Sequence, residues 1–278
     1  MRNRRITLMI LVALTILAGL DLRFGVIGSA EQEFGRLKFN ITYNDNNSYP
    51  SHTKTEVLTM SAADLAELAV VSKEGMINVY GIDTDQITIT GKITVSAVNQ
   101  EDAQNYAEAL ELQLKQAADR AELSLLEAER PKAVKSVKTS YEITMPKHLD
   151  LAIDAEYNQI SLADLTGAVA LSAGFSSVQT KNLSGSVDGT FDFTNTEFEN
   201  FGGSLSSEHN FSNLVLNLDG NSSGFTFDVE VNFGKLGGNV KLDQAVGENE
   251  FAALGQVGDG KNQIMIGAHF SNVDINLR

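Results

Sequence analysis

Acidic side chains are the first candidates for chemistry in this sequence. Glu197 and Glu199 lie two residues apart, so both point to the same side if this segment is a strand. Paired carboxylates of this kind act as acid and base in carbohydrate-active enzymes, some of which are built on β-helices. The other carboxylates of the segment occupy positions that do not align, so the sequence predicts no catalytic residue. These scattered carboxylates are Asp154, Asp164, Asp188, Asp192, Glu208, Asp228 and Glu230.

Metal and cofactor binding require other residue patterns. Asp83 and Asp85 could form half of a metal site, although such a pair is also typical of a turn. The four histidines have no partner histidine at ligand spacing, and the chain has no cysteine and no glycine-rich phosphate loop. The sequence therefore predicts no metal ligand, no cofactor-binding residue and no cofactor. The histidines are His52 and His148, followed by His209 and His269, which we expect at the surface or in turns.

An eighteen-residue repeat between residues 151 and 222 must position these side chains. A fixed short period indicates a solenoid, in which each repeat is one coil stacked on the previous coil. We expect one column of residues to form an aromatic stack inside the solenoid, and a second column to occupy turns. The aromatic column is Tyr157, Phe175, Phe193 and Phe211, and the turn column is Asp164, Asn182 and Asn200.

Alternation within each repeat indicates strands. Val169, Leu171 and Ala173 would lie on one side of a strand, with Ala170 and Ser172 on the other. One coil cannot bury its own apolar face, but coils stacked at about 4.8 Å can. The predicted fold class is all-β: a right-handed parallel β-helix, or β-solenoid, with coils of about eighteen residues.

The solenoid is predicted to extend over residues 65–278. A weaker copy of the coil begins at Ile77 and Val79, and the coil that closes the sequence, residues 270–277, is expected to be a last or capping coil. An amphipathic helix is predicted at about 99–117, because apolar residues recur there at helical spacing. We expect this helix to cover the end or side of the solenoid.

Residues 1–30 have the pattern of a signal peptide or signal anchor. Three arginines precede an apolar run over residues 6–20, and small residues follow it at a spacing suited to signal peptidase. The run is shorter than the ~20 residues of a spanning helix, so both cleavage and anchoring to the inner membrane stay open. Residues 31–64 would be a lead-in segment that contains a short strand at 37–43.

The formal net charge of −15 bears on partners. Such a surface repels nucleic acid and anionic lipid, so we expect no nucleic-acid partner. Membrane contact is expected only through the possible anchor. An exported chain without cysteine must be held together by side-chain burial and backbone pairing.

The order of these features resembles a known family. A glycine-bearing strand with Ile77, Val79 and Gly81 precedes an acidic turn, paired strands, one helix and a strand that ends at Met145-Pro146. Stacked coils complete the order. This layout is similar to the bacterial DUF4097 family of adhesin-like proteins and, more distantly, to DUF2807 head domains. The resemblance covers about residues 65–277 and implies an exported β-helical domain without catalytic residues.

The sequence favours a non-catalytic interaction protein of the cell envelope or the extracellular space, either adhesin-like or scaffolding. Its partner would be an unknown protein or polysaccharide of the envelope. We expect the contact surface on an extended side of the solenoid that exposes Thr180, Gln179, Lys181 and the neighbouring Glu197 and Glu199. The alternatives are a carbohydrate-active β-helix enzyme (a polysaccharide lyase or hydrolase) and a periplasmic partner of a membrane-bound regulator.

Overall fold

Two large sheets make up the described part of the chain. The computed structural model describes residues 49–246 and 250–278, which form one helix and twenty-one strands. Sheet A has ten strands and sheet B has eleven. The expected all-β class is confirmed at this level. The export signal expected in residues 1–30 and the strand expected at 37–43 lie outside the described residues.

The elements follow one another in three groups. The first group is β1 Ser51–Ser61, β2 Glu67–Ser72, β3 Gly75–Ile82, β4 Gln86–Ala97, α1 Gln100–Ala109, β5 Glu111–Ala117, β6 Arg120–Leu126 and β7 Val134–Pro146. The second is β8 Asp150–Glu156, β9 Asn158–Ala163, β10 Val169–Gly174, β11 Ser177–Lys181, β12 Val187–Asp192, β13 Asn195–Phe201, β14 Leu205–Asn210 and β15 Asn213–Leu218. The third is β16 Phe225–Asn232, β17 Lys235–Gly238, β18 Asp243–Val246, β19 Glu250–Val257, β20 Asn262–His269 and β21 Asn272–Leu277.

The second group contains the eighteen-residue repeat. Its strands alternate between sheet B and sheet A, and we call each sheet B strand with the sheet A strand that follows it a coil. Val187 pairs in parallel with Val169, which pairs with Leu151, and sheet A has the same offset. One repeat is therefore one strand in each sheet.

Alternate side chains of both sheets form a single core. Leu171 is 3% exposed in sheet B and Val178 is 1% exposed in sheet A, whereas Ala170 and Gln179 are exposed between such positions. Burial of one side of each strand follows from the period of two. Because the inward positions of successive coils are mostly apolar and lie in register, the core is continuous along the stack.

Glycines allow the coils to approach closely at one corner. A Cβ added at Gly185 would lie 1.9 Å from the carbonyl oxygen of Gly167, and one at Gly203 would lie 1.8 Å from that of Gly185. No side chain fits between backbones at these distances. The recurrence of glycine every eighteen residues is thus a packing requirement.

The first group adds a coil and an antiparallel extension. β2 and β3 pair with β8 and β9, and the register places Ile77 beside Ile160 and Val79 beside Leu162. This confirms the weaker coil copy. β7 pairs in parallel with β3, and β4 and then β1 extend sheet A beyond it as antiparallel strands. In sheet B, β6 pairs in parallel with β2, and β5 pairs antiparallel with β6. β1 lies within the expected lead-in segment and pairs with β4 along its whole length.

The helix is shorter than expected from the sequence. Asn99 caps its start, accepting a hydrogen bond from the Asp102 backbone N–H at 2.8 Å, and α1 packs against β1 and β4. It ends at Ala109, and residues 111–117 form β5. The prediction of helix to residue 117 was wrong because pairing with β6 buries Leu112, which a helical continuation would not do.

The last coil does not end the stack. β20 pairs in parallel with both β14 and β16, and β21 pairs with both β15 and β17. The expectation of a last or capping coil is therefore corrected. β17 ends sheet A, and the antiparallel strands β19 and β18 continue sheet B. Within the described residues, no helix has both the length and the apolarity needed to cross a membrane.

Candidate functional site: an exposed aromatic ridge

Six stacked aromatic rings run along one corner of the coils. The ring centroids of neighbours are 4.8–5.2 Å apart, and neighbouring planes lie within 13° of parallel. The two end rings, Tyr157 and Phe233, are 51% and 58% exposed. We call this feature the aromatic ridge. In spatial order its members are Tyr157, Phe175, Phe193, Phe211, Phe270 and Phe233.

The prediction of an aromatic stack is confirmed, but the prediction that the stack lies inside the solenoid is wrong. Each ring belongs to a residue between a sheet B strand and a sheet A strand, with φ between 50° and 56°. That left-handed conformation interrupts the in–out alternation, so the ring points away from the core. One left-handed residue per corner is enough to shift the alternation, so the hydrophobic pattern of the sequence does not reveal the turn. Phe193 is accordingly 42% exposed.

The residue after each ring except Phe233, which Gly234 follows, turns inward instead. Ser176 is 7% exposed and Thr194 is 1% exposed. The Ser176 hydroxyl accepts a hydrogen bond from the Asn158 backbone N–H at 3.0 Å and donates one to the Gly174 carbonyl at 2.7 Å. Thr194 and Ser212 repeat this arrangement in the next coils. A column of hydroxyls therefore satisfies the buried backbone beneath the ridge.

Amide side chains flank the ridge. On the sheet A side, Asn213 donates to Asn195 and Asn272 donates to Asn213, each at 2.9 Å. On the sheet B side, Asn210 donates to Asp192 at 2.8 Å. Each of these amide side chains carries both donor and acceptor atoms. The ridge is an apolar strip with hydrogen-bonding groups along both sides.

Turn geometry alone does not account for six aromatic residues at this corner. A left-handed conformation costs an ordinary residue about 1–2 kcal/mol, while a stacked pair returns about 0.5–1.5 kcal/mol. The opposite corner solves the same problem with residues suited to it, Asp164, Asn182 and Asn200, at φ of 54–59°. Those side chains bond to one another at 2.7 and 2.8 Å, which confirms the predicted turn column. The aromatic corner exposes apolar area that an asparagine corner avoids.

Stacking also determines which parts of the rings a partner can reach. Inner rings such as Phe193 are covered on both faces by their neighbours and present their edges. An aromatic edge is electropositive, so it suits oxygen atoms and apolar groups. At the two ends of the ridge, Tyr157 and Phe233 each have only one stacked neighbour among the ridge rings. The ridge can therefore make edge contacts along its length and stacking contacts at its ends.

The acidic pairs singled out in the sequence lie elsewhere. Asp83 forms an ion pair with Lys147 at 2.7 Å, and the hydrogen bond and charge of Lys147 hold the pKa of Asp83 below its usual value. Glu197 and Glu199 are exposed on sheet A, where Glu197 pairs in register with Gln179. Thr180, expected at the surface, is 4% exposed because it shares the inward side of its strand with Val178.

His209 corrects the expectation for the histidines. It was expected at the surface or in a turn, but it is 0% exposed and stacks on Phe191 at 4.7 Å in the core. His209 pairs in register with Ala268, so His209 and His269 do not occupy equivalent positions in their coils. Burial lowers the pKa of His209 from 6.5 to about 3. A neutral ring that stacks and bonds to Ser207 at 3.1 Å fits a structural role.

Metal-site geometry does not occur in the part of the chain that the structure describes. No group of three or more His, Asp or Glu side chains there could hold a metal ion. A shallow cleft of about 260 Å³ on sheet B is lined partly by Asp154, Asp188 and Arg120. Arg120 is already paired with Glu67 at 2.7 Å. The ridge, whose exposure the sequence did not reveal, is the strongest candidate site.

Comparison with known proteins finds likeness only among solved structures. A "putative cell adhesion protein" from Clostridium sporogenes is 12% identical, with a TM-score of 0.44, and the match covers 82% of this chain and all of the other. A "putative adhesin" from Bacteroides fragilis is 7% identical, with a TM-score of 0.41, and the match covers 80% of this chain and 97% of the other. No family model and no curated protein matches the sequence. These comparisons assign no family to the chain.

Proposed function

We propose that this chain is an exported, non-catalytic interaction protein of adhesin-like character that binds its partner along the aromatic ridge. The observation that carries the proposal is the row of six rings held at the surface in strained corners. Backbone strain and contiguous exposed apolar area both tend to mark functional surfaces. The proposal relocates the contact surface from the face of sheet A, favoured by the sequence, to the corner beside it.

The scaffold we propose is a right-handed β-solenoid of the DUF4097 type with coils of about eighteen residues. Successive parallel pairs offset by eighteen residues in both sheets support it. A parallel strand–crossover–strand connection is right-handed in about 98% of cases. Such a scaffold suits recognition because identical corners align at about 4.8 Å, which makes a straight ridge roughly 24 Å long.

The partner we propose is a protein or polysaccharide of the cell envelope. The net charge of −15 disfavours acidic polymers, so a neutral partner fits the surface better. The amides beside the rings supply directional hydrogen bonds, and the rings supply apolar contact area. Export, with or without retention of residues 6–20 as an anchor, is part of the proposal. N-terminal sequencing of the native protein should begin near residue 31 if the signal is cleaved.

A double substitution at the centre of the ridge tests the proposal. Phe175→Asn with Phe193→Asn removes two rings, while asparagine tolerates the left-handed conformation, as at the opposite corner. The full chain would be immobilised and exposed to envelope extract and to a panel of neutral and acidic polysaccharides. We expect the variant to lose at least about tenfold in affinity for the bound component, which corresponds to about 1.4 kcal/mol.

The matched control changes the face that the sequence favoured. Glu197→Gln with Glu199→Gln alters two exposed side chains on sheet A and leaves the ridge intact. This control should bind like the unmodified chain. Equal binding by the ridge variant and the unmodified chain would contradict the proposal. Turnover of a polysaccharide that the Glu→Gln control abolishes would place an enzyme first instead.

A further inference from the structure

The coil made by β20 and β21 occupies its place out of chain order. We call residues 262–277 the inserted coil, and the gap that it fills between the β14–β15 and β16–β17 coils the slot. β20 and β21 each pair in parallel on both sides, so the inserted coil has no free strand edge in either sheet. Neighbours elsewhere in the repeat are eighteen residues apart, whereas Ser212 and Ser271 are 59 apart.

The two walls of the slot resemble each other. Ile264 lies between Leu205 of one wall and Phe227 of the other, and all three side chains are buried. In sheet A, Val273 pairs in register with Leu214 of one wall and with the partly buried Leu236 of the other. The walls therefore present matching registers to whatever coil enters between them.

Specific contacts also tie the inserted coil to both walls. Phe270 stacks on Phe211 and on Phe233, with centroids 4.9 Å away in each case. The Ser271 hydroxyl accepts from the Ser212 backbone N–H at 2.9 Å, and Asn272 donates to Asn213 at 2.9 Å. These contacts depend on the sequence of the coil but not on its covalent connection to the walls.

The connection itself is short and rich in glycine. Residues 258–261 join β19 to β20 across the end of β16, and Gly258 and Gly260 have φ of 61° and 65°. Glycine adopts extended backbone as readily as these turn conformations, so this loop can open. The larger sequence separation also makes the slot slow to fill during folding, because distant contacts form after local ones.

We propose that the slot accepts the inserted coil of a second copy of this chain, which gives a coil-exchanged dimer. The strand pairing, ring stacking and hydrogen bonds of the inserted coil are all recreated between the two molecules, and only the loop at 258–261 changes conformation. Exchange of an identical element is a low-cost route to dimers, particularly where a short connection can straighten. The proposal goes beyond the ridge function and is independent of it. A dimer would carry two ridges and could bind a repetitive partner multivalently.

Cysteine pairs can report the exchange, because the chain has no cysteine of its own. Asn213→Cys with Asn272→Cys places one thiol in a wall and one in the inserted coil, at residues that pair in register. Neighbouring strands at about 4.8 Å suit the Cα separation of a disulfide. The matched control, Asn195→Cys with Asn213→Cys, lies in the same amide column but joins two coils that do not exchange.

The full-chain variants would be unfolded with reductant, refolded at low and high protein concentration, oxidised and run on non-reducing denaturing gels. We expect the first pair to give covalent dimer that increases severalfold with concentration, while the control stays monomeric. Only monomer from a folded first pair at both concentrations would overturn the proposal.

A second cysteine pair and the unmodified chain test the proposal even if the first variant does not fold. Asn217→Cys with Asn276→Cys spans the same boundary, and its side chains are 3.3 Å apart. It should behave like the first pair. The unmodified chain, refolded at high concentration and then diluted, should retain a dimer by light scattering. Monomer alone in this measurement would also overturn the proposal.

Discussion

At the scale of single residues, two phenylalanines two positions apart have opposite environments. Phe191 is 0% exposed, whereas Phe193 belongs to the ridge and is 42% exposed. Strand alternation alone would place both inward, but the left-handed conformation of Phe193 turns its ring outward. Their contributions to stability should therefore differ.

We expect Phe191→Ala to lower the free energy of unfolding by about 3–5 kcal/mol, as for other fully buried phenylalanines. Phe193→Asn should lower it by about 1–2 kcal/mol, because two stacked contacts are lost while backbone strain is relieved. Denaturant melts of both variants measure the difference. Equal losses would mean that the ring of Phe193 is buried after all.

His209 should make stability depend on pH. Its pKa is lowered by burial to about 3, whereas an unfolded histidine titrates near 6.5. Above pH 6.5 the histidine is neutral in both states and does not lower the free energy of unfolding. Between pH 6.5 and about 3 only the unfolded state takes up the proton, so the free energy of unfolding falls as the pH falls. Between pH 6.5 and pH 5, this group should lower the free energy of unfolding by roughly 1.5–2 kcal/mol.

Melts of the unmodified chain and of His209→Phe over that pH interval test the expectation. Phenylalanine keeps a ring stacked on Phe191 but cannot be protonated, so the variant should lack this part of the pH dependence. His269→Gln is the control, because it replaces a histidine that is exposed instead of buried in the core. The same pH dependence in His209→Phe would show that carboxylates cause it.

At the scale of the elements, the corners determine how closely coils can stack. Gly185→Ala should cost more than about 2 kcal/mol, because the new methyl group would meet the Gly167 carbonyl oxygen at 1.9 Å. Gly174→Ala is the matched control at the end of β10, where the nearest atom would be 3.8 Å away. Its effect should stay within about 0.5 kcal/mol. Equal midpoints in denaturant melts would contradict this close approach.

The point at which the helix ends is decided by contacts with neighbouring strands and not by the local hydrophobic pattern. Leu110 and Leu114 fit a helical period, but Leu112 and Leu114 fit a strand equally well. Pairing with β6 decides between the two, and hydrogen bonds from β1 stabilise the outcome. Lys54 donates to the Leu110 carbonyl at 2.8 Å, and Glu56 accepts from the Leu112 N–H at 3.0 Å.

At the scale of the whole described molecule, stability should vary along the stack. Each coil contacts mainly its neighbours, so opening can begin at the ends and stop within the stack. Hydrogen exchange should be slowest for the amides of β10 and β12, which have parallel partners on both sides. It should be fastest in β5, β17 and β18, which end their sheets. Uniform exchange along the chain would indicate a single cooperative unit.

The sequence alone determined the features that depend on periodicity. The eighteen-residue repeat predicted the register of β8–β15 and the Asx turns, because a repeated position has the same neighbours in every coil. The weaker coil copy and the start of the helix were predicted in the same way. No catalytic residue was predicted, and that expectation stays a prediction.

Only the tertiary structure decided the features that depend on backbone conformation or on distant partners. The orientation of the ridge depends on one left-handed residue per coil, which hydrophobic pattern does not reveal because phenylalanine rarely adopts it. The burial of His209, the end of the helix at Ala109 and the position of the inserted coil each depend on contacts with strands far along the chain. Periodicity specifies which side chains can lie beside one another in neighbouring coils, but the packing of the complete fold sets the order of the coils in the stack.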